Sequence, residues 1–473
     1  MAWFRQRQVD SYSTLNEESA IEMKRHDEKF DKIIRRNSFQ ETQEMCIEDS
    51  SNYGSLENDN KNNVNISEEK LTTLQAAWNI INMIQGNVIL NSPYVLLVGG
   101  VPGIVLTVVV GYVSVHTCRL LIDCQYDEDE LGNKSKTRHT MHDIAVHNLG
   151  KRAGVLLIDL LQITLMFGNC VFQLLFCGQM ISPLFPENPV GFNGIILLFS
   201  LALFPFAFVT SIKTVSYFSC ASVVVTSLSY IALISYMFSK VDKWVIEEFP
   251  LTTNIYQSSL SLGMIVFGFD SQLYVNSLDN KLKEGSNIKK MIAWTHVMSV
   301  FLKIFFGIVG IFTFGQLTRE TITNSIDNIP LKYFFNILFP MKFFLIFQFP
   351  YFAIIDLIQE KLFQGVNLTR FPSCLDKENS LKWWAIILRL SLVLLVVIVC
   401  LIFPDVAILT SYTGSTIGAF IMFLLPVYFH LNMYWRKMYW YHILHDYFVL
   451  LAGVVVVFCG IFTFVQREIV TRI

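Results

Sequence analysis

The sequence predicts an all-α polytopic membrane protein of eleven transmembrane helices. Three observations carry that reading. Of 473 residues, 53% are hydrophobic and only 16% charged, where a soluble domain carries about 25% charged residues. After Lys70 the chain is a series of apolar stretches long enough to cross about 30 Å of hydrocarbon. Lys and Arg also divide unevenly between alternate loops, as expected when one set of loops is cytosolic.

The elements follow in chain order. Residues 1–70 hold ten Lys/Arg, fifteen Asp/Glu and no Pro. Such a segment cannot bury enough apolar surface to fold alone, which predicts a disordered N-terminal tail ahead of a transporter domain spanning residues 71–473. Met1–Arg5 lacks the apolar core of a cleavable signal peptide. Within the tail, Arg35-Arg36-Asn37-Ser38 has the form of a basic-directed phosphorylation site. Tyr53-Gly54-Ser55-Leu56 has the form of an endocytic sorting signal that adaptors read, and inert tail is the competing reading for both. The apolar stretches lie near 76–98, 103–125, 154–182, 191–209, 217–239, 258–277, 290–315, 331–358, 383–403, 405–430 and 444–466.

Orientation follows from loop charge. With the tail inside, the inner loops hold fifteen Lys/Arg, against five in the outer loops and C-terminus. That places the tail in the cytosol and Thr471-Arg472-Ile473 outside or in a lumen. The Asn-x-Ser/Thr sequons at Asn65, Asn133 and Asn367 then all fall on the cytosolic side. No phosphate loop, Gly-x-Ser-x-Gly elbow or His-Glu-x-x-His is present, so nothing marks an enzyme or a cofactor site. There is no basic patch for nucleic acid. The nine Cys show neither metal-ligand spacing nor a disulfide framework.

The informative residues are polar groups and breakers inside the bilayer. Segment 1 reads Gln85-Gly86-Asn87-Val88-Ile89-Leu90-Asn91-Ser92-Pro93. Unpaired backbone there is tolerated only where it lines a cavity. Ser92-Pro93 has the form of a helix start, with Ser92 at the cap and Pro93 in the first turn, and a second half-helix beginning there, or nearer Gly86, aims its N–H groups at the midplane. Segment 6 reads Phe267-Gly268-Phe269-Asp270-Ser271-Gln272 and runs in the opposite direction. Two interrupted spans in corresponding, inverted positions point to a transport site at a repeat interface; the alternative is that Gly86 and Gly268 only allow close helix packing. Asn169 and Gln173 in segment 3, and Thr410 to Gly414 with Thr413 in segment 10, are further lining candidates.

A charge at mid-bilayer costs about 2.5–3.5 kcal/mol, so each ionisable residue there needs a reason. Asp270 is the foremost functional candidate. Lys342 and Lys303 lie near mid-span, where snorkelling or a fixed ion pair is the competing reading. Asp159, His296, Arg389 and His116 lie nearer the cytosolic ends, where structural roles are expected, although His296 is also a candidate for proton coupling. The 40 Phe are read as lipid-facing and packing residues.

Several segments resemble the amino acid/auxin permease family, and within it the vesicular members that load small inhibitory amino acids. They are Ala77-Trp78-Asn79 with Ile84-Gln85-Gly86, Ile265-Val266-Phe267 with Ser271-Gln272, and Trp294-Thr295-His296 with Leu302-Lys303. Further along come Gln359-Glu360-Lys361-Leu362-Phe363, Thr413-Gly414-Ser415, Phe423-Leu424-Leu425-Pro426 and Tyr434-Trp435-Arg436-Lys437. The resemblance runs from about Leu74 to Gly453. It implies a leucine-transporter-type fold of inverted five-helix repeats plus an eleventh helix. It also implies proton-coupled antiport of GABA- or glycine-like amino acids into synaptic or other cytoplasmic vesicles, with chloride as a further ion. The family's substrate region falls on Gln85 to Pro93 and on Phe267 to Gln272, and its segment 8 lysine on Lys342. The vesicular members have a glutamate in segment 3 where this chain has Leu165, so Asp270 is expected to supply the missing carboxylate. The extra negative charge also makes a cationic amino acid or amine plausible as substrate. A lysosomal or plasma-membrane amino acid–proton symporter is the near alternative, and a non-transporting amino-acid sensor the distant one.

Overall fold

The computed structural model describes residues 72–85, 88–128, 134–185, 191–205, 212–282, 287–362 and 382–472. The tail with Arg35–Ser38 and Tyr53–Leu56, the asparagines of the three sequons, and Gly86 and Asn87 lie outside the described residues. What is described is almost wholly helical, as an apolar solvent that offers no backbone hydrogen bonds requires.

The first span is interrupted. Helix α1 (Thr73–Gln85) stops at Gln85, and a short 3₁₀ turn (Val88–Asn91) leads into α2 (Ser92–Asp123). Within α2 the backbone reverses at Gly100, whose φ of 56° and ψ of −149° are non-helical. This one glycine separates segments 1 and 2, with Val101 N–H donating across to Pro250 O at 3.2 Å. Ser92 is the first residue of α2 and not its cap, contrary to expectation. Its hydroxyl turns back to Val88 O at 3.5 Å, so the second half-helix begins nearer Gly86.

The loop after α2 carries two elements that the apolar pattern does not reveal. One is an antiparallel hairpin of β1 (Tyr126–Glu128) and β2 (Lys134–Lys136). The other is α3 (Met141–Leu149), which starts at a capping box between Thr140 and Asp143. The remaining helices are α4 (Lys151–Ile181), α5 (Gly191–Leu203), α6 (Ile212–Phe238), α7 (Ile255–Phe267) and α8 (Gln272–Lys281). After them come α9 (Ile288–Phe314), α10 (Ile329–Ile346), α11 (Gln348–Leu362) and α12 (Trp383–Ile402). The chain closes with α13 (Val406–Thr413), α14 (Leu425–Tyr434) and α15 (Trp440–Arg472). Local sequence sets many starts. Asn254, Asn287, Asn328 and Asp405 each accept from a backbone N–H three residues on, capping α7, α9, α10 and α13.

Seven described helical stretches are long and apolar enough to cross a membrane, and Gly191–Leu203, Val224–Phe238 and Ile255–Phe267 are shorter apolar helices. Each spanning helix has an apolar outer face. On α2, Val105, Val108, Val109 and Tyr112 are exposed while Thr107, Val110, Gly111 and Ser114 are buried. Burial alone gives no drive between helices in lipid, so close backbone approach matters. Gly263 of α7 lies against the Ser411 backbone of α13, and Gly414 against Gly263 O. Beyond α13 the tenth span widens into π-type turns over Gly414–Gly418 and Phe420–Leu424 before α14. Such turns recur at functional sites.

A candidate transport site at two helix breaks

The second interruption lies between α7 and α8. Helix α7 ends at Phe267, and Gly268 to Ser271 form the link to α8 at Gln272. A helix end leaves carbonyls without intrahelical partners and carries partial negative charge. Here two such ends converge on one cation. Lys303, on α9 and 6% exposed, donates from Nζ to Ile84 O at the end of α1 and to Gly268 O at the end of α7, both at 2.8 Å. Its ammonium also sits 4.7 Å from the centre of the Phe269 ring, an attractive cation–π geometry. Neither a fixed ion pair nor snorkelling describes it: a tethered ammonium joins the two interrupted spans.

A cavity of about 20 Å³ lies against this junction, lined by Val88, Ser92, Thr107, Gly268 and Lys303 among others. That is room for a water but not for an amino acid. Ser92 and Gly268, both expected from sequence, therefore meet at one place. A Cβ on Gly268 would come within 2.9 Å of Val88 Cγ1 and 3.4 Å of Lys303 Nζ, so only glycine lets the α7 terminus approach both the first span and the lysine.

Below the break a buried hydrogen-bond network ties the link to α2 and α9. Gln272 Nε2 donates to Ser114 Oγ at 3.1 Å and Thr117 Oγ1 at 3.2 Å, and its Oε1 accepts from Ser271 N at 3.0 Å. Ser114 donates to Phe269 O at 3.2 Å. His296 Nδ1 donates to Ile292 O at 2.9 Å, and its Nε2 faces the hydroxyls of Ser114 at 3.0 Å and Ser271 at 3.3 Å. In this arrangement Ser271, Gln272 and His296 are engaged with the protein and brace the link.

Other candidates stand apart with unmet polar atoms. Asp270 Oδ1, Asn91 Oδ1, Gln173 Oε1, Ser411 Oγ and Lys342 Nζ are buried without hydrogen-bond partners among the described residues. Lys342 is 2% exposed on α10, its ammonium 5.9 Å from the Tyr230 ring and 5.2 Å from the Phe343 ring. Phe267 packs on Phe172 of α4 at 5.7 Å between ring centres. Thr413 reaches Gly168 of α4, next to Asn169, where an added Cβ would lie 3.3 Å from Thr413 Cγ2. Gln85 closes α1. Of the residues read as structural, Asp159 meets His142 at 2.8 Å and His116 meets Asp446 at 3.0 Å. Lys303 was only half legible in the sequence, because nothing there shows that its partners are carbonyls 219 and 35 residues away.

A family model described as transmembrane amino acid transporter protein matches residues 69–466. The chain belongs to this family. Among curated relatives, the vesicular inhibitory amino acid transporter of Homo sapiens is 31% identical over 389 residues, covering 81% of this chain and 74% of that protein. The vesicular GABA transporter of Caenorhabditis elegans is 31% identical over 366 residues, covering 77% and 73%. An amino acid transporter of Arabidopsis thaliana is 24% identical over 399 residues, covering 82% and 90%. The family match takes in both breaks, Lys303 and Lys342, so the site described above lies within the matched region. Membership also fits a multi-pass helical membrane protein and gives no support to an enzyme.

Proposed function

We propose that this family member is a proton-coupled secondary active transporter that loads small GABA- or glycine-like amino acids from the cytosol into vesicles by alternating access. The Lys303 bridge between the α1 and α7 termini is the observation that carries the reading. It concentrates two helix C-termini, a cavity and a lone ammonium where two interrupted spans meet, the arrangement in which transporters of inverted repeats place substrate and coupling ion. The helix contacts support such repeats. Helix α2 packs on α9, and α4 on α10, while α1 packs on α9 as α7 packs on α2; an inverted five-helix repeat relates these pairs. Eleven spans, with the tail cytosolic and the C-terminus lumenal, follow from the loop charges, and Tyr53–Leu56 is then placed to meet sorting adaptors.

In this mechanism a substrate ammonium competes with Lys303 for Ile84 O and Gly268 O. Once Lys303 gives up its proton, the two carbonyls are free for the substrate. When the substrate leaves, the reprotonated lysine re-forms the bridge, which exchanges one species for the other. The substrate carboxylate meets the N-terminal turn of the half-helix entering α2, with Asn91 and Ser92 beside it. The titratable neighbours are His296, two turns back on α9, and Asp270, just past the α7 break; the cavity's α2 side offers Ser92 and Thr107. Asp270 and Lys342 are the further coupling candidates.

The test is uptake into proteoliposomes with an acid interior and an imposed potential, using GABA, glycine, β-alanine and cationic amino acids, with and without chloride. Accumulation that a protonophore abolishes supports the reading. Uptake with the proton gradient, in the same direction, replaces it with a symporter. Binding without flux for every compound replaces it with a sensor.

A further inference from the structure

Away from the breaks, α2, α14 and α15 bring three histidines around one buried carboxylate. Asp446 of α15 is 1% exposed. Its Oδ1 accepts from His116 Nε2 of α2 at 3.0 Å and lies 3.9 Å from His445 Nδ1. Its Oδ2 accepts from His430 Nδ1 of α14 at 2.7 Å. The donor atoms of His116, His445 and Asp446 all lie within 4.8 Å of one another.

We infer that His116 Nε2, His445 Nδ1 and Asp446 Oδ1 form a site for a zinc-like divalent transition-metal ion. Zinc takes imidazole nitrogen and carboxylate oxygen at about 2.0–2.2 Å in tetrahedral geometry, which sets ligand atoms about 3.3 Å apart. The two separations from Asp446 Oδ1, 3.0 and 3.9 Å, bracket that value, so small side-chain movements close the site. Two neutral imidazoles and one carboxylate suit zinc and its neighbours over calcium or magnesium.

The outer groups are those that a metal site needs. Tyr112 OH lies 3.2 Å from His445 Nε2 and holds Nδ1 toward Asp446. His430 occupies the second carboxylate oxygen and leaves Oδ1 for the ion. The His116 and His445 rings meet edge to face at 4.4 Å, which fixes their mutual tilt. Such outer partners orient ligands and raise affinity. Three protein ligands leave a fourth position for water. His445 is partly exposed, and His430 lines a separate cavity of about 360 Å³ with Asp123, Tyr126, Asp127, Lys289 and Tyr434. A bound ion would tie α15 to α2, the helix that continues from the first break.

The test uses full-length protein in detergent, stripped with chelator, gel-filtered and titrated with Zn²⁺ against a chromogenic competitor. The expected result is one ion per chain, with affinity falling at least about tenfold in His445→Ala and in His116→Ala. Tyr112→Phe, which keeps both helices packed, weakens binding by about tenfold or more, and His147→Ala on α3 leaves it unchanged. Cobalt in place of zinc gives the visible spectrum of a tetrahedral site in the wild type and not in His445→Ala. No retained metal in the wild type, or retention unaltered by all three substitutions, overturns the inference. Binding is read without transport, so failure here leaves the transport reading standing, and the reverse.

Discussion

Replacing Lys303 by Met isolates the bridge between the two breaks, because Met keeps the length and apolar stem while removing the ammonium. Each hydrogen bond from a charged donor contributes about 1.5–3 kcal/mol. Losing both contacts, at 2.8 Å each, removes about 3–6 kcal/mol of attraction between α9 and the two helix ends. Against this, a buried ammonium costs several kcal/mol of desolvation that Met does not incur. The two effects nearly cancel in overall stability, so thermal unfolding should shift by only a few degrees. Transport should not be spared, since the attraction differs between the bridged and unbridged states; a bias of about 1.4 kcal/mol is already tenfold. Initial uptake in proteoliposomes should fall by about tenfold or more. Lys303→Arg keeps a charge that does not dissociate in proteins. It should retain the fold, and its residual uptake should lose its response to the pH gradient. Wild-type uptake and wild-type pH response in Lys303→Met would falsify the mechanism. Unfolding far below the wild type would also refute it, by making Lys303 a structural tie.

Three further outcomes follow from named contacts. Asp270→Asn should keep the fold and flatten the pH dependence of uptake; an unchanged pH profile removes Asp270 from coupling. Gly100→Ala places a Cβ 2.6 Å from Pro250 O at a φ of +56°, a strain of about 1–3 kcal/mol before the clash is counted, so lowered thermal stability is expected, and a gain would show an ordinary helical position. Glu320, in the loop after α9, accepts from Gln179 Nε2 at 2.7 Å. Burial first, and then the Asp405 carboxylate, raise its pKa to about 7. A raised carboxyl pKa means that the unfolded chain ionises first, so this residue lowers stability increasingly as pH rises from about 4.5 to 7. Glu320→Gln should therefore unfold at a higher temperature than the wild type at pH 8 and at the same temperature at pH 4; equal stability at both pH values would contradict the burial argument.

Length and apolarity made the spans legible, because lipid admits only structures that satisfy their own backbone. Gly and polar residues at Gly86 to Ser92 and at Gly268 to Gln272 made the breaks legible for the same reason. Family resemblance added the substrate class. The hairpin at Tyr126–Lys136 and helix α3 escaped, because outside the bilayer the apolar pattern no longer reports structure. Ser92 was misread as a cap because the 3₁₀ turn before it already continues the helix.

By itself, then, the sequence determined a polytopic helical bundle and the two interrupted spans, since both are written in local polarity along the chain, while the class of solute came through resemblance to a family. Only tertiary structure decided what the buried charges do. Lys303 found two carbonyls in place of a carboxylate, Gln272 and Ser271 were drawn into bracing the α7–α8 link, and His116 and His445 met at Asp446 from opposite ends of the chain. Each of these depends on which helix faces lie together, and helix facing in a membrane is set by close packing of small residues such as Gly263 and Gly414, which sequence polarity does not encode.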